Sequence, residues 1–206
     1  MTKTVWTEQA PLVLASASAT RRIMLEETGL PIEIIPATID ERAVDQPLRE
    51  QGVSSAVCAL ALAHAKAQAV SALHPGRIVL GADQILDCDG IMLDKVPDRA
   101  AAERQLAFLA GKTHRLTSAA AIIRDGEIVF DAVTEARLTM RALDSAAIAL
   151  YADHAGQVLT ASVGCYAIEG LGAHLFERVE GDHFTVRGLP LLPLLAGFRM
   201  QGWIHL

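Results

Sequence analysis

Short apolar runs alternate with segments of helical period along the whole chain. Residues 11–15 read as a buried strand, and 18–27 as a helix stopped by Gly29 and Pro31. A second short strand is predicted at 32–35, followed by a loop carrying Asp40, Glu41 and Arg42. Residues 53–73 form one long Ala-rich helix, ended by Pro75-Gly76. The β-rich run 77–80 closes on Gly81-Ala82-Asp83, which places Asp83 at a strand end. Residues 85–93, with Asp89-Gly90 at their middle, read as a hairpin. Asp98 caps a helix to about 109, stopped by Gly111. Long strands at 113–123 and 127–141 flank Asp125-Gly126, a helix runs from Asp144 to about 153, and a closing helix follows Pro190. Strands alternating with helices predict an α/β fold, and the hairpins make its sheet mixed. No internal repeat or low-complexity linker interrupts the pattern, so residues 1–206 are expected to form one globular domain with room for two lobes.

Composition narrows the function. Hydrophobic residues make up 51% of the chain and aromatic ones only 4%, as suits a helix-rich α/β protein. A net charge of −6 argues against a general nucleic-acid binder, though a few cations converging on a pocket could still hold phosphate. Cys58, Cys88 and Cys165 follow no metal or redox spacing and are expected to be free thiols in a reducing compartment. The first nine residues lack an apolar leader segment, and no run approaches the roughly 20 apolar residues of a membrane span. A cytoplasmic protein is the expectation.

Two clusters could carry chemistry. In LASASATRR (14–22) a strand runs through Ser16 and Ser18 into a helix, an arrangement that offers backbone N–H groups, hydroxyls and guanidiniums to phosphate oxygens. A plain serine cap with surface arginines would look the same. In GADQ (81–84), Asp83 stands beside small residues after a buried strand, where α/β proteins place catalytic or metal-binding carboxylates; a turn-forming Asp is the alternative. Glu41, Lys66 and Lys95 taken singly are solvated charges, although the alanines around Lys66 permit close approach of a ligand or another element. Gly111-Lys112-Thr113 lacks the first glycine of a phosphate-binding loop and lies in the wrong element order, so it reads as a helix end. Gly170-Leu171-Gly172 is too short for a dinucleotide fingerprint. No histidine pair has metal-ligand spacing, and neither Ser118 nor Ser162 sits in a nucleophile elbow.

In order, LASxS…RR, GAD and the long stretch YAIEGLGAHLFERVEGDHFTVRGLPLLPL (166–194) resemble the Maf family of nucleoside triphosphate pyrophosphatases over residues 12–199. The resemblance implies an elongated mixed-sheet α/β fold with a central cleft, like the inosine triphosphate pyrophosphatase group. It implies a divalent metal, Mg²⁺ or Mn²⁺, and hydrolysis of a nucleoside triphosphate to monophosphate and pyrophosphate in a house-cleaning role. It is compatible with a homodimer. Carried over by position, it assigns Asp83 as the catalytic carboxylate and Asp83 with Glu41 as metal ligands. Ser16, Arg21 or Arg22, Lys66 and Lys95 become substrate-binding residues.

Departures from the family pattern bear on specificity. The arginine segment is one residue longer and has no proline, with Thr20 before Arg21; this leaves open which arginine faces inward. Val96 follows Lys95 where proline is usual, and residues 161–164 replace the common DKAG. The longer segment with Thr20, together with Gln84 and Glu169, looks more like the branch acting on 7-methyl-GTP than the dTTP/UTP branch. A carboxylate at Glu169 could accept from the N1–H and N2–H edge of guanine and suits a cationic methylated base. A dTTP/UTP pyrophosphatase, or a weakly catalytic nucleotide-binding regulator of cell division, is the alternative.

Overall fold

A computed structural model describes residues 5–206. Residues 1–4, part of the segment read as lacking a leader, lie outside the described residues. The strands are β1 (Leu12–Leu14), β2 (Ile32–Ile34), β3 (Ile78–Cys88), β4 (Ile91–Leu93), β5 (Thr113–Arg124), β6 (Glu127–Met140) and β7 (Phe176–Glu180). The helices are α1 (Ala19–Glu26), α2 (Glu41–Glu50), α3 (Ser55–Ser71), α4 (Arg99–Leu109), α5 (Ser145–Ala155), α6 (Val158–Ala161), α7 (His183–Val186) and α8 (Leu191–Met200). They build a mixed, seven-stranded α/β sheet in the order β2-β1-β3-β5-β6-β7, with β4 paired to β3. β1 is parallel to β2 and β3, whereas β3–β4 and β6–β7 are antiparallel.

Local chemistry accounts for most boundaries. Ser18, Asp98 and Asp144 cap α1, α4 and α5 with side-chain oxygens that accept from first-turn backbone N–H groups. Asp125-Gly126 turns β5 into β6 with φ of 52° and 82°, the left-handed pair that a tight hairpin requires. Gly111, at φ 71°, ends α4 as a helix-stopping glycine should, so Gly111-Lys112-Thr113 is indeed a helix end.

Two expectations fail. Asp83 is not at a strand end: β3 runs on through Gly81-Ala82-Asp83 to Cys88, because Gly81 serves close packing rather than a turn. Nor do Asp40, Glu41 and Arg42 lie in a loop. Asp40 caps α2, accepting from Arg42 N at 3.1 Å and Ala43 N at 3.2 Å, and Glu41 begins the helix. Pro47 inside α2 hid the helix from the sequence pattern. β7 and α7 also went unpredicted, being too short to show a period.

The chain separates into two compact units, each with its own core. One comprises residues up to Gln84 with Ser118–Thr134 and Gly188–Leu206; Val13, Ala67, Val70, Val79 and Ile123 pack in it. The other comprises Ile85–Thr117 and Glu135–Arg187, centred on residues such as Leu86, Leu106, Leu116, Leu138 and Tyr166. The three cysteines are buried and unpaired. Among the described residues no helix is long and apolar enough to cross a membrane.

The second core contains a polar pair. His114 is 1% exposed, and its Nε2 lies 2.6 Å from the Tyr166 hydroxyl, while its Nδ1 has no hydrogen-bond partner among the described residues. Burial pulls the His114 imidazole down to about 4 from 6.5. Above pH 6.5 the ring is neutral whether the chain is folded or not, so it costs nothing. Below that only the unfolded chain protonates it, and stability drains away until about pH 4. The full cost is about 3 kcal/mol. Denaturant unfolding of His114→Gln at pH 7 and at pH 4 should show the acid-induced loss shrinking by about that amount; an unchanged loss would place the acid sensitivity elsewhere.

Candidate active site

The site is built where β3 passes over α3. Successive strand residues face opposite sides, so Gly81 and Asp83 share the face turned to the helix. On α3 the buried residues include Cys58, Ala59, Leu62, Ala63, Lys66, Ala67 and Val70, one stripe at helical spacing. Lys66 therefore occupies a position where the pattern calls for an apolar residue. A Cβ on Gly81 would collide with the Ala63 carbonyl oxygen and stand 2.7 Å from the Ala67 nitrogen. The missing side chain lets the helix lie against the strand, and that approach brings Lys66 to Asp83.

The Lys66 ammonium is held by two carboxylates: Nζ donates to Asp83 Oδ1 at 2.6 Å and lies 2.8 Å from Glu41 Oε1. The Lys66 and Asp83 side chains are 10% and 12% exposed, Glu41 56%. A buried ion pair of this kind seldom adds stability over an apolar pair of the same volume, because both charges lose their hydration. Its presence on a packed helix face makes this pair a candidate for chemistry rather than for stability.

β1 supplies the second part. It registers on β3 at Val79 and Leu80, and Ala15 N still donates to Leu80 O at 2.8 Å. Ala82 O, two residues on, points the same way but past the end of β1. The Arg21 guanidinium takes that place: Nη1 donates to Ala82 O at 2.9 Å and to Ser16 Oγ at 3.2 Å, and Nε donates to Gly188 O at 2.9 Å. Ser16 Oγ also accepts from Ser18 N, at 3.2 Å, and Ser18 Oγ from Arg21 N, at 3.3 Å. Burial lowers the Arg21 guanidinium from its ordinary value, and the charges of Asp83 and Glu41 oppose the shift. It remains a cation at any physiological pH. Arg22 points away, with Glu26 3.9 Å off and both side chains about half exposed. Arg21, not Arg22, is the inward arginine.

Ser16, Arg21, Glu41, Lys66, Asp83 and Gln84 thus lie in one unit. Thr20 is half-buried on α1. Gln84 donates through Nε2 to Ser118 Oγ at 3.1 Å. Lys95 and Glu169 belong to the other unit, Lys95 exposed just after β4 and Glu169 3.5 Å from Arg187 Nε. Sequence reasoning missed three partners. Gly188 lay unnoticed within the distinctive C-terminal stretch, Ser118 was weighed only as a nucleophile, and Arg187 gave no signal. Gly188, at φ 100°, adopts a backbone that favours glycine and turns its carbonyl to Arg21.

Fold and site together define a class: a mixed-sheet α/β protein in which a strand–turn–helix arginine and a carboxylate-bracketed lysine meet on one strand, an arrangement suited to polyanionic phosphate. The chain belongs to the Maf family, since the model of that family, described as Maf-like protein, matches residues 11–200. A nucleoside triphosphate pyrophosphatase of Nitrobacter winogradskyi is 51% identical to it over 201 residues, covering 97% of this chain and 98% of the relative. A counterpart from Rhodopseudomonas palustris is 50% identical over 199 residues, 96% of this chain and 97% of its own. A 7-methyl-GTP pyrophosphatase of Mesorhizobium japonicum is 48% identical over 193 residues, with 94% and 97% covered. The likeness to a solved dITP/XTP pyrophosphatase of Mycobacterium abscessus reaches a TM-score of only 0.36 at 21% identity, over 63% of this chain and 71% of that one, too low to carry weight.

Gly81→Ala tests the close approach. The added methyl must push α3 outward, so unfolding in urea should show a loss of about 1–3 kcal/mol. An unchanged midpoint would mean the helix has slack to give.

Proposed function

We propose that the protein hydrolyses a nucleoside triphosphate between the α- and β-phosphates, releasing the monophosphate and pyrophosphate. The observation that carries this reading is the Lys66 ammonium held 2.6 Å from Asp83 and 2.8 Å from Glu41, on the strand whose Ala82 carbonyl receives Arg21. The names of the relatives at about half identity support it.

Splitting this anhydride needs a water aimed at the α-phosphorus and cations to take the charge that builds on the departing pyrophosphate. Arg21 is pre-positioned by three acceptors, so its remaining donors can meet a phosphate without losing order at the moment of reaction. Ser16, the N–H groups opening α1 and Lys66 extend the cationic and hydrogen-bonding surface; Lys95, in the other unit, keeps the role of a substrate-binding lysine that the resemblance implies. Arg22, turned outward, adds only to the surrounding positive field. Asp83, rigid within β3, accepts the water's proton.

Asp83 and Glu41 would also hold the divalent ion. Two carboxylate oxygens converging on one point suit a hard cation, Mg²⁺ or Mn²⁺, that completes its shell with water and substrate phosphates. Among the described residues no group of three or more His, Cys, Asp or Glu is placed to hold a metal ion, so most of the shell would have to come from water and substrate phosphates. Such an ion, when bound, neutralises phosphate charge and raises the acidity of water.

For the base, the reading leans to 7-methyl-GTP. Glu169 can accept from the guanine edge and suits a cationic ring, Gln84 and Thr20 are the other residues in which the chain looks like that branch, and one relative carries that name.

Pyrophosphate release across GTP, 7-methyl-GTP, dTTP, UTP and ATP with Mg²⁺ or Mn²⁺ tests the proposal; absence of turnover on every nucleotide ends it. Asp83→Asn should lose about 10²–10⁴-fold in kcat, and retention of full activity would remove Asp83 from the role of base. Arg21→Lys should raise KM or lower kcat far more than Arg22→Lys. Glu169→Gln should shift preference away from the methylated base, and an unchanged ratio of 7-methyl-GTP to GTP would discard the specificity argument.

A further inference from the structure

We infer that Lys66 is the built-in counter-ion of the carboxylate pair: it competes with the divalent cation for Asp83 and Glu41 and turns to phosphate only when that cation takes its place. The inference rests on the reading that these two carboxylates hold the metal. Nζ lies 2.6 Å from Asp83 Oδ1 and 2.8 Å from Glu41 Oε1, and the stem of Lys66 sits in the buried stripe of α3. An ammonium has three N–H donors, and two of them are spent on these oxygens. The same two oxygens cannot bracket an ammonium and a divalent ion at once, since the cations repel and the space between the carboxylates is taken.

The partners differ in freedom. Asp83 is fixed in β3 and 12% exposed, whereas Glu41 is the first residue of α2 and 56% exposed. Glu41 can let go and re-form its contact around a different cation. Lysine suits the exchange better than arginine would, being a point charge on a flexible four-carbon stem with no planar fork to realign. The two carboxylates are therefore not left unpaired in the nucleotide-free protein, and no lysine has to be brought to the triphosphate from elsewhere. A lysine that served only to bind phosphate would leave the metal affinity of the nucleotide-free protein unaltered.

The test is a Mn²⁺ titration of the full chain without nucleotide, followed by electron paramagnetic resonance. Lys66→Met should tighten Mn²⁺ binding by on the order of tenfold, because a competing positive charge is gone and the carboxylate charge remains. Affinity unchanged or weakened in Lys66→Met overturns the inference. Asp83→Asn in parallel separates the two readings. If it leaves Mn²⁺ binding at the wild-type level, the metal assignment fails and the inference falls with it. If it weakens binding while Lys66→Met does not tighten it, only the competition fails. Should Lys66→Met not fold, acylation of Lys66 in the wild-type protein, followed by peptide mass spectrometry, gives the same answer. Mn²⁺ should speed the modification severalfold by releasing the amine; no change or protection overturns the inference.

Discussion

A buried ammonium is expensive unless its charge is answered at short range, and the first unit is arranged around that requirement. Lys66 leaves water on the packed face of α3, so Asp83 must stand directly opposite and Glu41 must close over the top. Asp83 reaches that point because Gly81 lets the strand lie against Ala63 and Ala67. Glu41 reaches it because Asp40 starts a helix there. Removing any one of these features would leave a charge without its partner. Arg21 is tied to the same strand through Ala82, so the arginine and the lysine move with one backbone.

Much of the fold was legible in the chain because its signals are local. Asp-Gly hairpins, Asp and Ser caps, and apolar runs of clear period placed β1, α1, α3, α4, β5, β6, α5 and α8 within a few residues. What escaped depends on partners far away in sequence. Gly81 looked like punctuation after residues 77–80, since its role, admitting α3, is set by Ala63 and Ala67. A glycine that ends a strand and one that lets a helix in are identical letters. α2 was hidden because Pro47 masked the period. β7 and α7 hold five and four residues, too few to display a period.

The candidate site was legible in a different way. Residue by residue, Glu41 and Lys66 were ordinary charges and Asp83 stood between a catalytic carboxylate and a turn former; only the resemblance gathered them. The structure supplies an independent physical ground for three of them, the distances around Nζ. It also chooses between the paired arginines, which sequence could not do. Consecutive helix residues project about 100° apart, so one faces β3 and the other solvent. Residues acting through the backbone stayed invisible, as with the Gly188 carbonyl that holds Arg21, because a carbonyl has no letter of its own.

The two carboxylates around Lys66 differ in how firmly they are mounted. Asp83 belongs to an eleven-residue strand with neighbours on both sides, while Glu41 sits on the first turn of a ten-residue helix that carries a proline and exposes much of its surface. A pair so mounted works like a vice with one fixed and one travelling jaw. Sequence change within β3 would disturb the bearing on which every other group depends. Change along α2 would alter the opening of the jaw and leave the anchor intact. Variation that alters the hold on the buried lysine therefore has its natural seat in residues 40–50, remote in chain position from the strand that holds the charge.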